Sequence, residues 1–284
     1  MPPRTVTTAR QRRLGAELRK MREAAGYNAR EAAAVLGIDH TKISHMETAR
    51  FGVSAERVRT LASAYKCDDE AYVEALAAMA TDRTKGWWEE YRGILPSGYL
   101  DVTELEDKAT YLRSFQVAHI PGLAQTEDYA RAVFSFGLRP SLYKKEIEAR
   151  TAHRTQRIRI LERDNPPDVT ALVHEAALRM RFGGRDVTRA QLKHLLELSE
   201  HPHFTVRVVP FDADGFAGSG SAVLYAGGAV QQLDTVHLDS THGPIFLYAE
   251  AQLKSYRSLL SSMEKRSLSV RKSRDTIHEI MRQL

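Results

Sequence analysis

Hydrophobic positions in the first eighty residues recur at the spacing of one helix face. Leu14, Leu18 and Met21 lie three or four residues apart, and Gly26 follows as a residue that ends helices. Four further stripes come after it, each preceded by an Asn, Asp or Ser of the kind that caps a helix N-terminus. The pattern predicts five helices between residues 10 and 84. Residues 1–9, with two prolines and no periodicity, are predicted to be a disordered arm.

Residues 27–50, YNAREAAAVLGIDHTKISHMETAR, predict a helix-turn-helix. Asn28 caps a short helix, Gly37 supplies the turn, and Ile43 and Met46 anchor the second helix to the first. This packing leaves one face of the second helix outward, and the first residues of such a helix are those that enter a major groove. The side chains predicted to contact base edges are His40, Thr41, Ser44 and His45.

Net charge is unevenly distributed along the chain. Residues 1–66 carry 13 Lys and Arg against 6 Asp and Glu, residues 67–253 carry 20 against 27, and residues 254–284 carry 8 against 3. The positive excess therefore coincides with the predicted helix-turn-helix, as neutralisation of DNA phosphates requires. The acidic middle of the chain favours a sensor over a second DNA clamp. The basic end is equally consistent with a solvated surface.

Residues 10–83 resemble the Xre-type helix-turn-helix domain, a five-helix repressor module. The resemblance matches Gly37 to the turn glycine of that family and Glu47 to an acidic residue that pairs with an arginine of the first helix, here Arg22. It implies that the four outward side chains read bases and that Asn28, Arg30 and Lys42 grip the DNA backbone. The arginines of the first helix and the one after the recognition segment complete the predicted phosphate contacts, which are Asn28, Arg30, Lys42, Arg50, Arg12 and Arg13.

Two departures from the Xre pattern limit what the resemblance implies. The family usually carries a glycine two residues after the paired glutamate, and Ala49 stands there in this chain. His40 replaces the more usual glutamine or serine, so the target sequence cannot be inherited. The alternative interpretation is a single helical hairpin within an ordinary helical domain.

The remainder of the chain predicts an α+β domain over residues 85–284 with a small sheet. Helical patterns at residues 99–112 and 141–163 precede β-branched runs at residues 169–173 and 204–209. A hairpin is predicted around Gly227-Gly228, and Thr188 is predicted to cap a helix that ends at Leu198. The apolar stripe of the last helix needs a partner, either the same domain or a second protomer.

A second resemblance rests on short motifs in this region. They are WW at 87–88, PGLAQTEDYAR at 121–131, HEAAL at 174–178, GG at 183–184 and QL at 191–192. In this order they resemble the large domain that follows the repressor module in the WhiJ-like regulators of actinomycetes, although Ala124 stands where that family has leucine. The resemblance implies a transcriptional regulator whose gene often lies beside one for a small partner protein, in an antitoxin-like pairing.

No catalytic set or metal site emerges from the sequence, and no cofactor is expected. His174-Glu175 lacks the second histidine of a zinc helix, because Leu178 occupies its position. The glycine-rich stretch at residues 215–228 has neither the lysine of a phosphate-binding loop nor a nucleophile elbow. It is interpreted as a loop over a possible ligand pocket lined by Phe216, Tyr225 and His237.

The single cysteine excludes disulfides within the chain, and no run approaches eighteen apolar residues, so a cytoplasmic, nucleoid-associated protein without membrane contact is expected. The predicted function is sequence-specific DNA binding by a homodimer, controlled through residues 85–284 by a small protein or ligand. The alternative is an antitoxin-like protein that sequesters a small partner and binds DNA only to regulate its own gene. An enzyme with a DNA-binding head is a third hypothesis, for which no paired groups are found.

Overall fold

A computed structural model of the chain describes residues 7–136, 144–215, 221–240 and 242–284. They form two compact units, residues 1–87 and residues 88–284, each with its own core. No helix in the described ranges is long and apolar enough to cross a membrane.

The described part of the first unit, residues 7–87, contains five helices. They are α1 (Ala9–Ala24), α2 (Ala29–Leu36), α3 (His40–Glu47), α4 (Ala55–Ala64) and α5 (Glu70–Thr81). The cap residues predicted for the last four helices all accept a hydrogen bond from a backbone N–H of the first turn of their helix. Five helices with these caps are what the sequence pattern predicted.

The predicted disordered arm is wrong at its end. Thr8 and Gln11 form a reciprocal capping box, so α1 begins at Ala9 and the Ala9 side chain is buried. Residues 1–6 lie outside the described ranges.

The second unit mixes helices and strands. Its helices are α6 (Ser97–Lys108), α7 (Glu127–Ser135), α8 (Lys144–Gln156), α9 (Glu175–Arg179), α10 (Gly184–Leu198), α11 (Glu250–Arg266) and α12 (Val270–Gln283). Its strands are β1 (Tyr111–Gln116), β2 (Asp168–His174), β3 (Phe204–Val209), β4 (Val223–Gly227), β5 (Thr235–Ser240) and β6 (Gly243–Leu247). Short 3₁₀ turns lie at Trp87–Tyr91, Gly122–Ala124, Arg157–Glu162 and Gln231–Leu233.

The strands form one mixed six-stranded sheet in the order β3-β2-β1-β4-β5-β6. β1, β2 and β3 run parallel, and β4, β5 and β6 add antiparallel strands on the other side of β1. Apolar side chains fill both faces, because helices cover each of them. Leu112, Ala171 and Phe204 belong to one core cluster with residues of α10 and α12, whereas Phe115 and Val236 on the opposite face belong to a second cluster with residues of α11.

The sheet is larger than the sequence predicted. The helix expected over residues 99–112 ends at Lys108, and β1 follows with every second side chain on each face. The helix expected over residues 141–163 is α8 followed by a 3₁₀ turn, with residues 141–143 outside the described ranges. The sequence pattern also did not predict β6, whose five residues include no buried side chain.

Two local expectations for the later helices resolve differently. Thr188 is not a cap, because α10 begins four residues earlier and the Thr188 hydroxyl donates back to the carbonyl of Gly184 at 2.8 Å. The apolar stripe of α12 finds its partner in the same unit, where Ile277 and Ile280 join the core beside α10 and β3. That stripe therefore does not require a second protomer.

Candidate nucleic-acid interface

The turn between α2 and α3 has the geometry of a helix-turn-helix. Gly37 ends α2 in the left-handed conformation, with φ 63° and ψ 33°, and the Ile38 N–H donates to the carbonyl of Ala33 at 3.0 Å. Asp39 then caps α3 through the Thr41 N–H at 2.7 Å. Ile43, 1 % exposed, is the side chain that buries α3 in the small core.

An ion pair between side chains of α1 and α3 holds the two helices together. Arg22 donates from Nε and Nη2 to the two carboxylate oxygens of Glu47 at 2.6 and 2.9 Å, and from Nη1 to the carbonyl of Tyr27 at 2.6 Å. This is the pair that the Xre resemblance implied. The hydrogen bond to Glu47 raises the pKa of Arg22. The pair fixes the end of α3 against the end of α1.

Ala49 occupies the position where the Xre pattern has glycine, and its backbone explains that preference. Its φ is 58°, the left-handed region that a Cβ disfavours, and its side chain is buried. The turn that leaves α3 therefore keeps the glycine conformation with an alanine in place. The alanine therefore adds backbone strain at this turn.

The predicted base-reading residues all lie on α3, but they differ in accessibility. His40, Thr41 and Ser44 are exposed and His45 is half-buried. The Thr41 hydroxyl donates to Oδ1 of Asp39, and the hydrogen bonds from Thr41 lower the pKa of that carboxyl. The His45 ring stacks edge-on against Phe51, with ring centroids 4.7 Å apart. The Ser44 hydroxyl makes no hydrogen bond within the described ranges, so it is available to a base edge.

The predicted phosphate contacts separate into unpaired and internally paired cations. Arg30, Lys42 and Arg50 are exposed and form no ion pair with any described residue. By contrast, Arg59 of α4, which is not among the predicted contacts, donates to both carboxylate oxygens of Glu74 at 2.7 Å. The predicted cations without an ion pair among the described residues therefore include those of α2, α3 and the turn after α3.

Two other predicted contacts already take part in intramolecular hydrogen bonds. Asn28 caps α2 through its Oδ1, which accepts from the N–H groups of Arg30 and Glu31 at 2.9 and 3.0 Å. Only its side-chain nitrogen is left to donate to a phosphate. Arg12 is exposed and donates to the carbonyl of Thr7 at 2.6 Å.

The assignment of Arg13 as a phosphate contact is wrong. Its side chain is buried at 3 % exposure and pairs with Glu17 at 3.0 Å, one helical turn along α1. Tyr72 of α5 donates to the same carboxylate at 2.5 Å. Arg13 therefore belongs to a buried polar cluster, because it lies on the face of α1 that packs against α5. From the sequence alone, a charged residue beside the hydrophobic stripe of a helix cannot be assigned to its buried or its exposed face.

The predicted pocket in the second unit is also wrong as a group. Leu224 pairs with His237 and Tyr225 with Val236, so His237 and Tyr225 lie on opposite faces of the sheet. The Tyr225 hydroxyl is buried between Asp234 and Arg257, at 2.7 and 2.9 Å. His237 lines a cavity on the other face. Phe216 lies outside the described ranges.

Comparison with known protein families identifies two segments. Residues 13–76 match the helix-turn-helix domain, and residues 99–279 match a domain of unknown function, DUF5753. The first places the chain in the class of proteins with a DNA-binding helix-turn-helix, of which regulators are the usual members.

The second match covers more than half of the chain, so the protein belongs to the DUF5753 family. No curated protein and no solved structure matches the chain. The helix-turn-helix points to a DNA-binding regulator rather than an enzyme.

Proposed function

We propose that the protein is a sequence-specific DNA-binding transcriptional regulator of the Xre type. The main support for this proposal is the surface of α3. Exposed His40 and Ser44 lie there beside cations that form no ion pair with the described residues. Exposed hydrogen-bonding groups on the second helix of a helix-turn-helix are what base edges require, and unpaired cations are what phosphates require.

The roles of individual residues follow from their accessibility. His40, Ser44 and the half-buried His45 contact base edges, and Thr41 does so while its hydroxyl stays bound to Asp39. The phosphate contacts are Arg30, Lys42 and Arg50 with the side-chain nitrogen of Asn28 and the exposed Arg12. Arg22 and Glu47 contact no DNA and hold the angle of α3, on which the other contacts depend.

The protein binds as a homodimer in this proposal, with two recognition helices reaching successive major grooves about 34 Å apart. The second unit controls DNA occupancy by binding a ligand or a small partner protein, as the WhiJ-like resemblance implies. Such control requires only a few kcal/mol of differential binding between the competent and incompetent states. The antitoxin-like alternative gains support if the product of a neighbouring gene co-purifies and its removal alone changes DNA binding.

Selection of bound duplexes from a random library by the purified full-length chain tests the proposal. The expected result is an enriched motif with two related half-sites separated by about one helical turn. Enrichment of a single half-site would agree with DNA binding and would contradict binding as a homodimer. Recovery of an unenriched library at low salt, where non-specific binding is strongest, contradicts sequence-specific recognition itself.

A further inference from the structure

One face of the sheet in the second unit lines a partly open cavity of about 170 Å³. The strands contribute alternate residues to its floor, and α6, α8 and the 3₁₀ turn at Gly122–Ala124 contribute to its walls. Its apolar wall consists of Val102, Leu112, Leu123, Val169, Phe204 and Leu224. An apolar cavity of about 150 Å³ holds benzene, so this one has room for a body of that size with a small polar head.

Two guanidinium groups meet at one end of the cavity. A Cβ built on Gly122 would lie 3.0 Å from Nη1 of Arg154 and 3.3 Å from Nη1 of Arg157, so both nitrogens approach the same point. Position 122 tolerates no side chain there without displacing them. The glycine of the PGLAQ motif therefore shapes the polar end of the cavity.

The two arginines differ in whether a carboxylate forms an ion pair with them. Arg157 is neutralised by Glu106, which accepts from Nε at 2.7 Å and also from Nη2. Arg154 has no carboxylate within ion-pair distance among the described residues. It donates to Oε1 of Gln125 at 3.2 Å, and its guanidinium lies 4.5 Å from the centre of the Phe134 ring. Arg154 therefore has no direct ion pair among the described residues, although the carboxylate of Asp239, which also lines the cavity, attracts it from beyond that distance.

The side chains at this end of the cavity differ in charge and in hydrogen bonding. Burial and the neighbouring Arg157 lower the pKa of Arg154 to about 10, so it stays charged at neutral pH. Nε2 of His237, a side chain 7 % exposed, makes no hydrogen bond within the described ranges, although Oδ1 of Asp239 lies 3.5 Å away. Burial also lowers the pKa of His237 and of the adjacent His119, which keeps both rings neutral. The cavity thus holds a guanidinium without a direct ion pair and a buried ring nitrogen without a hydrogen bond among the described residues.

We propose that this cavity binds a small monocarboxylate with an apolar body of about ten non-hydrogen atoms. The carboxylate accepts from Nη1 of Arg154, with His237 as a second polar partner, and the body lies against Leu112, Phe204 and Leu224. One carboxylate is enough, because Glu106 already pairs with Arg157 and Arg154 is the guanidinium without a direct ion pair among the described residues. Binding stands independently of DNA recognition, whereas the role of this ligand as the regulatory signal rests on the proposed function.

Fluorine NMR titration of the full-length protein with 4-fluorobenzoate tests this site. Its neutral isostere 4-fluorobenzamide is the matched ligand control. We expect saturable binding of the benzoate at least tenfold tighter than that of the benzamide, because a charged hydrogen bond is lost with the amide. Absence of saturation up to about 10 mM, the weakest affinity expected of a ligand this size, overturns the proposal. So does equal affinity for the two probes.

Two variants locate the binding. Arg154→Met keeps an unbranched stem beside Phe134 and removes the charge, so benzoate binding should weaken at least tenfold while benzamide binding stays within twofold. Leu224→Trp fills the cavity without altering a charge and should abolish binding of both probes. Unfolding temperature without ligand reports whether each variant is folded. A folded Arg154→Met variant that binds benzoate as wild type does would overturn the assignment. None of these outcomes depends on DNA binding, so the failure of this proposal and that of the proposed function are distinguishable.

Discussion

Gly15 of α1 lies directly against the backbone of Glu47 at the end of α3. A Cβ built on Gly15 would stand 2.4 Å from the Glu47 carbonyl oxygen and 2.9 Å from that of Met46. Backbone atoms cannot move aside as flexible side chains do, so position 15 requires glycine for close helix approach. The position of α3, and with it the whole candidate interface, depends on this contact.

Substitution Gly15→Ala is therefore expected to destabilise the first unit by about 2 kcal/mol or more, although Gly to Ala normally favours a helix interior. Hydrogen–deuterium exchange of amides in residues 1–87 of the full chain measures the effect within that unit. The control is Ala16→Gly on the next position of α1, which should cost only about 1 kcal/mol of helix propensity. A Gly15→Ala protein with unchanged or slower exchange contradicts the close approach.

The pair between Arg22 and Glu47 makes a second prediction. Both side chains are less than 10 % exposed, so Arg22→Ala leaves a buried carboxylate without its partner. We expect a loss of about 3–5 kcal/mol in the free energy of unfolding of the first unit. The double change Arg22→Met with Glu47→Leu should be less damaging than Arg22→Ala alone. A double-mutant cycle of Arg22→Met, Glu47→Leu and the double variant measures the coupling between the two side chains. Additive losses in that cycle would contradict the coupling.

A buried carboxylate in the second unit makes a third prediction. Asp234, 1 % exposed, accepts hydrogen bonds from the hydroxyls of Tyr111 and Tyr225 at 2.7 Å and from the Gly228 N–H at 3.1 Å. Asp234→Ala leaves three donors unsatisfied and should cost about 3 kcal/mol or more, whereas Tyr111→Phe removes one donor and should cost about 1 kcal/mol. Chemical denaturation of the second unit measures both. Equal costs would contradict a network centred on Asp234.

Acid should weaken the second unit through His153. Burial, reinforced by the charges of Arg157 and Arg154, lowers the pKa of His153 to about 3. The unfolded chain binds a proton near pH 6.5 and the folded one does not, so this contribution is complete above pH 6.5 and is lost as pH falls towards 3. By pH 4.5 the loss reaches about 2–3 kcal/mol.

The matched variant for that pH series is His153→Gln, which keeps a hydrogen-bonding partner for the Thr103 hydroxyl, 3.2 Å from Nε2, and does not titrate. Its free energy of unfolding should vary less steeply between pH 6.5 and 4.5, by about 1.4 kcal/mol per pH unit. Parallel curves for the two proteins would show that His153 does not titrate differently on folding.

The first unit was largely predictable because its determinants are local. Helix caps such as Asn28 and Ser54, the left-handed Gly37 and the spacing of Ile43 each act within a few residues. Arg13 was misassigned because its burial depends on α5, more than fifty residues away in the sequence. Local patterns define a helix face and do not define what covers it.

The second unit was less predictable because its determinants are distant in sequence. β1 carries Arg113 and Gln116, and a short strand of this kind is indistinguishable from the end of a helix until its partners are known. In the sequence, Arg154 and Arg157 lie within the helix predicted over residues 141–163. Their three-residue spacing on one face, opposite Glu106 on another predicted helix, was the available signal. This spacing indicates a site only when the sheet is known, because β1 and β4 bring α6 and α8 over the same face.

Removal of one unpaired cation should change affinity without changing sequence preference. Lys42→Ala is expected to weaken binding to cognate and scrambled duplexes alike and to reduce the slope of log affinity against log salt by about one per protomer. Fluorescence anisotropy at several salt concentrations measures both slopes. The control is Lys254→Ala, which removes the same charge from an exposed position in the second unit. A loss confined to the cognate duplex would assign Lys42 to base recognition instead.

The most direct test of DNA recognition by α3 compares one double variant with the wild type on two duplexes. Ser44→Ala with His45→Ala should weaken binding to the selected duplex by about 1–3 kcal/mol per lost base contact and leave binding to a scrambled duplex unchanged. Ser63→Ala, on the exposed side of α4, should leave both affinities as they are. A double variant that folds normally and binds the selected duplex as tightly as the wild type would contradict the account.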